Sequence, residues 1–155
     1  MTSFDLKAMG SELLDFTTFL SFFDNLKDLL HFRNLALSLW NCNRLKLDEK
    51  DPLATGLALL NPSSFRKLSL ELYPNFSDSD LSALLIVIQR FSSLKRLSLG
   101  FSQTNQVTTQ GLSGLPSTLS QLPDLQVLNL LLNSAIDTGS FFEMISLCLK
   151  DLKEL

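Results

Sequence analysis

The chain has 155 residues, 45% hydrophobic and 19% charged, which is enough apolar material for one continuous core and too much for a disordered chain. A net charge of -3 and a pI near 5.0 exclude whole-surface attraction to nucleic acid or anionic lipid, although a local patch can still be basic. The densest apolar run, residues 83–88, is far shorter than the roughly eighteen residues a membrane span requires, and the first residues lack a basic stretch followed by an apolar one of the secretory kind.

In chain order, Phe4 to Leu6 reads as a strand and residues 11–30 as a helix. Leu13, Phe16, Leu20, Phe23 and Leu30 fall at helical steps, and Leu14, Phe19, Phe22, Leu26 and Leu29 make the other faces apolar too. Such a helix is expected to be buried between neighbours, so residues 1–31 read as an N-terminal helical repeat or cap. From Phe32 onward one spacing recurs: Phe32-x-x-Leu35-x-Leu37-x-Leu39, Phe65-x-x-Leu68-x-Leu70-x-Leu72, Leu94-x-x-Leu97-x-Leu99-x-Phe101 and Leu125-x-x-Leu128-x-Leu130-x-Leu132. A fifth copy begins at Leu152-x-x-Leu155. The starts are 33, 29, 31 and 27 residues apart, which is the signature of an array of one unit of roughly thirty residues. Because the end of such an array needs a cap over its apolar edge, residues 1–155 are expected to be a single domain cut from a longer array, the alternative being that another chain covers that edge.

Within each unit, alternation such as Leu68-Ser69-Leu70-Glu71-Leu72 has the period of a strand with one buried face. A helical return must then carry the chain back to start a parallel strand beside the first. In the first unit Leu45 is an inward residue, and a short return runs through Asp51, Pro52 and Leu57 to Leu60. In the second, Pro74 breaks the strand, Phe76 points inward, and Ser77-Asp78-Ser79-Asp80 supplies capping groups before a helix over 81–91. In the third, Val107 replaces Phe76, and glycines and proline in Gly111-Leu112-Ser113-Gly114-Leu115-Pro116 predict a 3₁₀ or broken helix. In the fourth, Ile136-Asp137-Thr138-Gly139 opens a helix over 140–149 with Phe141, Ile145 and Leu149 on one side.

The residues that carry chemistry are sparse. His31 is the one histidine, which excludes a site of several imidazoles, and a His31–Cys42 dyad has no local motif to support it. Asp78-Ser79-Asp80 and Asp48-Glu49-Lys50-Asp51 sit where turns and helix starts belong, so capping is the expected role and no metal is. No phosphate-cradling glycine loop, zinc spacing or nucleophile elbow occurs, so no cofactor and no enzymatic activity are expected. Cys42 and Cys148 lie too many units apart for a disulfide and read as reduced thiols, Cys148 on the last helix, which points to a cytoplasmic, reducing location.

Leu125-x-x-Leu128-x-Leu130-x-x-Asn133, followed by Ile136 and Gly139, resembles the leucine-rich repeat, and unit lengths of 27 to 33 are similar to its ribonuclease-inhibitor-like class, with irregular repeats. The resemblance implies an α/β solenoid of about four to five repeats, with a curved parallel sheet on the concave side, helices outside, and ligands docking on the concave strands. The family's buried asparagine is matched only by Asn133; Trp40, Tyr73 and Ser102 hold its place elsewhere. Alternation running on to Leu39, Leu72, Phe101 and Leu132 predicts longer or flatter strands.

Residues between the buried leucines face the concave side, because successive strand residues alternate. They form one column of Ala36, Ser69, Ser98 and Asn129 and another of Ser38, Glu71, Gly100 and Leu131. Just ahead lie Arg33-Asn34, Arg66-Lys67, Lys95-Arg96, Gln126-Val127 and Lys153-Glu154. With strands about 4.8 Å apart, Arg66, Lys67, Lys95 and Arg96 predict a basic ridge that an acidic partner, or acidic side chains of nearby loops, would neutralise. Long basic side chains that merely solubilise the rim are the plainer reading. Strict alternation places Trp40 and Tyr73 on the concave face as a pair of contact aromatics, whereas the buried-asparagine position places them in the core. The partner-binding candidates are therefore Arg33, Arg66, Lys67, Glu71, Lys95, Arg96, Asn129, Leu131, Trp40 and Tyr73. The expected function is a non-catalytic protein-interaction module that binds another protein. The rivals are a structural subunit of a multi-subunit assembly and, with little charge to support it, an RNA or anionic-ligand binder.

Overall fold

A computed structural model describes residues 3–7, 15–28, 33–39, 42, 45 and 51–146, and among these described residues five strands and five α-helices follow in strict alternation. The strands are β1 (Ser3–Lys7), β2 (Asn34–Ser38), β3 (Lys67–Glu71), β4 (Arg96–Gly100) and β5 (Val127–Leu131). The helices are α1 (Phe16–Leu26), α2 (Pro52–Ala58), α3 (Asp78–Ile88), α4 (Leu115–Ser120, preceded by a 3₁₀ turn at Gly111–Gly114) and α5 (Thr138–Ile145). All strands are parallel and lie in sequence order, β1-β2-β3-β4-β5. The segments at Leu68, Leu97 and Leu128 are therefore neighbours, as the repeat spacing predicts.

The register puts equivalent residues of every repeat side by side. Leu35, Leu68, Leu97 and Leu128 form one row and Leu37, Leu70, Leu99 and Leu130 the next. All are buried except Leu130, which is half-buried, and each buried leucine contributes about 1.5–3 kcal/mol relative to exposure. Helical residues such as Phe23, Leu57, Leu84, Ile88, Leu119 and Phe141 complete the same core, so the helices cover the leucine face. Each helix packs on the next in the chain. Gly56 lets α1 and α2 come close, since a Cβ there would overlap the Phe23 ring.

The starts and stops follow local chemistry. Asp51 caps α2 through Leu53 N–H (3.1 Å) and Ala54 N–H (3.0 Å), with Pro52 in the first turn, where its missing N–H costs nothing. Ser77 and Asp80 form a capping box at α3. Gly114 and Pro116 limit the third return to the predicted 3₁₀ turn and a six-residue helix.

Two expectations need correction. The helix α1 is not apolar all round over its described length: Phe19, Phe23 and Leu26 are buried, whereas Thr17, Thr18, Ser21, Asp24 and Asn25 are exposed. Its polar side is what a helix packed on one face requires. The strands are also not long. Each has five residues, and one more ladder bond follows in three of them, from the N–H groups of Leu39, Leu72 and Phe101 to the carbonyls of Glu71, Gly100 and Leu131. Their side chains then turn into the core, which accounts for the extra apolar step in the sequence.

Candidate functional site: the open face of the sheet and its two edges

The face opposite the leucines carries three rows in register. They are Asn34-Lys67-Arg96-Val127 at the N-terminal edge, Ala36-Ser69-Ser98-Asn129 in the middle, and Ser38-Glu71-Gly100-Leu131 at the C-terminal edge. The middle row is small and, apart from Ala36, polar, with Asn129 exposed.

At the N-terminal edge the backbone holds the basic residues in place. Arg33 C=O accepts from Arg66 N–H (2.7 Å) and Lys67 N–H (3.2 Å), and Arg66 C=O accepts from Lys95 N–H (2.8 Å) and Arg96 N–H (3.0 Å). Arg33, Lys67, Lys95 and Arg96 are exposed. Arg66 is not equivalent to them: its guanidinium donates to the carbonyls of Ser93 (3.1 Å), Ser63 (3.4 Å) and Phe65 (3.4 Å), tying two turns together. Its guanidinium is thereby held at the turns and does not stand on the ridge with the others. Among the described residues no carboxylate forms an ion pair with the others. Among the described residues the one ion pair is Lys27–Asp24 at 2.6 Å, on α1 and its last turn.

At the C-terminal edge Ser38 donates its hydroxyl to Glu71 Oε2 across neighbouring strands. Gly100 follows in the row and leaves an open cleft of about 180 Å³, lined by Glu71, Leu72, Gly100, Ser102 and Gln103. Leu131 comes next and is 56% exposed.

Tyr73 does not belong to this surface. Its ring is fully buried, edge-on to Phe76 at 5.2 Å, and its hydroxyl donates to Asp51 Oδ1 at 3.0 Å. After Leu72 the chain leaves the strand, so alternation no longer applies and Tyr73 turns toward the preceding repeat. Tyr73 is therefore corrected from contact candidate to core residue. Trp40, its counterpart, lies outside the described residues, as do His31, Cys148, Lys153 and Glu154.

The turns after the strands carry a polar seam that sequence reading missed. Asp51 binds Tyr73 of the next repeat. Asp78 accepts from Thr108 N–H (2.8 Å) and Thr108 Oγ1 (2.7 Å), thirty residues on. Asn133 Nδ2 donates back to Thr104 C=O (2.7 Å) and Val107 C=O (3.2 Å). Asp137 N–H donates to Thr109 Oγ1 at 2.9 Å. The bonded pairs differ from junction to junction, so no single pairing recurs; the aspartates at helix starts, Asp51, Asp78 and Asp137, were the available signal.

Burial is the main cause that raises the Asp51 carboxyl to about 6. The Ala54 and Leu53 N–H groups and the Tyr73 hydroxyl oppose the rise, and the nearby Asp80 charge adds to it. Burial, then the charges of Asp51 and Asp80, push the Tyr73 hydroxyl well above its ordinary value. Asp78 and Asp80 are engaged in hydrogen bonds to Thr108 and Ser77, and among the described residues no three His, Cys, Asp or Glu side chains converge as metal ligands. Cys42 is a buried thiol. Among the described residues no helix is long and apolar enough to cross a membrane.

No protein-family model matches the chain, and no curated protein does. Among solved structures it is similar to leiomodin-1 actin-binding site 2, a leucine-rich-repeat-like structure. The two share 16% identity with a TM-score of 0.51, over 100% of this chain and 69% of that one. At that identity the likeness is one of fold.

Proposed function

We propose that the chain is a non-catalytic protein-interaction module, a leucine-rich-repeat solenoid segment that binds another protein through the open face of its sheet and the basic edge beside it. The observation that carries this reading is the group of exposed cations Lys67, Lys95 and Arg96, held by the backbone ladder with no carboxylate partner among the described residues. Like charges on neighbouring strands repel, and a partner's acidic groups would relieve that cost. The solved neighbour is an actin-binding site, which supports a protein as the class of partner. A scaffolding role in the reducing cytoplasm fits the buried thiol of Cys42.

The test is affinity capture by the full-length protein from cell extract, with partners identified, beside a Lys67→Glu, Lys95→Glu, Arg96→Glu variant. The reading expects the variant to lose the partners that the parent retains. Equal capture by both would sink it. Nuclease treatment before capture removes partners held through RNA, for which three side chains supply little affinity.

A second reading is favoured by Leu59, Ile86 and Phe142, which are 43%, 61% and 46% exposed on the helical side. On that reading the helices make permanent contacts in a larger assembly and the sheet face is incidental. Serine at these three positions, rather than charge reversal at the sheet edge, would then release the partners.

A further inference from the structure

The C-terminal edge of the open face carries the opposite chemistry from the basic edge, on the same strands. Glu71 is exposed, accepts one hydroxyl from Ser38, and pairs with no cation among the described residues. Beside it Gly100 keeps the cleft open: a Cβ at that position would stand 3.4 Å from Glu71 Cγ, so any longer side chain would extend across the gap. The cleft offers a carboxylate from Glu71, a hydroxyl from Ser102 and an amide from Gln103, and the exposed Leu131 stands next to Gly100 in the row. At about 180 Å³ it is too small for a drug-sized ligand, which fills about 300–1,000 Å³, and suits one side chain.

Resting on the reading of this face as a docking surface, we propose that the cleft takes one arginine or lysine side chain of the partner. The bound segment is then an extended one with acidic residues over Lys67 and Arg96 and a cation four residues away. An arginine meets Glu71 with its planar fork, while its methylene stem lies against Leu131. Lys67 and Glu71 are four residues apart on β3, which is about 13 Å at a strand's rise of about 3.3 Å per residue. A partner segment that is itself extended covers the same span in four steps. A segment of one charge sign meets repulsion at one edge or the other, so the face selects a dipolar sequence.

The experiment is a peptide array probed with the full chain. Each peptide carries two glutamates and one arginine separated by zero to eight glycine or serine residues, with arginine-free controls. Retention is expected to peak at three intervening residues and to exceed the controls by about fivefold, the value of one exposed charge pair near 1 kcal/mol. Gly100→Leu, which fills the cleft, and Glu71→Gln, which keeps its shape, should each remove the peak. Neither backbone is strained, since φ at Gly100 lies outside the left-handed region; equal melting temperatures verify folding. Retention indifferent to the arginine or its spacing, or unchanged by both variants, overturns the cleft. If Lys67→Glu with Arg96→Glu still abolishes retention, docking on the face stands without it; if no variant matters, both fail.

Discussion

The two edges of the sheet treat charge in opposite ways. At the N-terminal edge, Lys67, Lys95 and Arg96 stand in solvent with no ion-pair partner among the described residues. In the turns beyond the C-terminal edge, Asp51 and Asp80 are buried and hydrogen-bonded, and Asp78 is stitched to the following repeat. The acidic groups of a chain with net charge -3 thus hold repeats together on one side, leaving a positive edge on the other. Overall charge therefore says little about the sign of the surface a partner meets.

The sharpest way to break the comparison is Tyr73→Ala. It opens a cavity in the seam and leaves Asp51 short of a donor, so a loss of about 3–5 kcal/mol in chemical denaturation is expected. A loss under 1 kcal/mol would mean that the seam is not structural.

The next effect is one of pH. The raised Asp51 carboxyl keeps its proton in the folded state up to about 6, whereas the unfolded chain releases it near 3.8. Unfolding between those values releases a proton, so this group's contribution to stability is greatest below about pH 4, falls as pH rises, and levels off above about 6. The full change is at most about 3 kcal/mol. Asn also caps a helix but does not titrate, so Asp51→Asn should flatten this part of the profile. An unchanged slope in the variant would refute the assignment.

Asp78→Ala removes both bonds from Thr108 and is expected to cost about 1–2 kcal/mol by thermal or urea melts. At the opposite edge, Lys67→Ala and Arg96→Ala should change stability by less than about 0.5 kcal/mol. A larger loss there would show that the basic edge is structural rather than available.

The legible part of the fold was the part built from repeated letters. Leu68 and Leu70 announce a strand by alternation, and recurrence at Leu97 and Leu128 places those strands side by side. Asp51 and Asp78 announce helix starts, but their reach into neighbouring repeats is hidden, because local spacing cannot show a contact 22 or 30 residues away. Arg66 and Lys67 looked equivalent in sequence. Alternation and the backbone ladder send one to the carbonyls of two turns and leave the other on the open face.

By itself, the sequence determined the unit, its β-then-α order and the leucine rows, because periodicity and burial are enforced at every step of a repeat. Only the tertiary structure decided which polar side chains were used up in holding repeats together. Tyr73 was drawn inward, Arg66 was turned aside, and Gly100 became the floor of a cleft. Each outcome depends on what the adjacent repeat presents at that height, and that is a property of stacking rather than of any one segment.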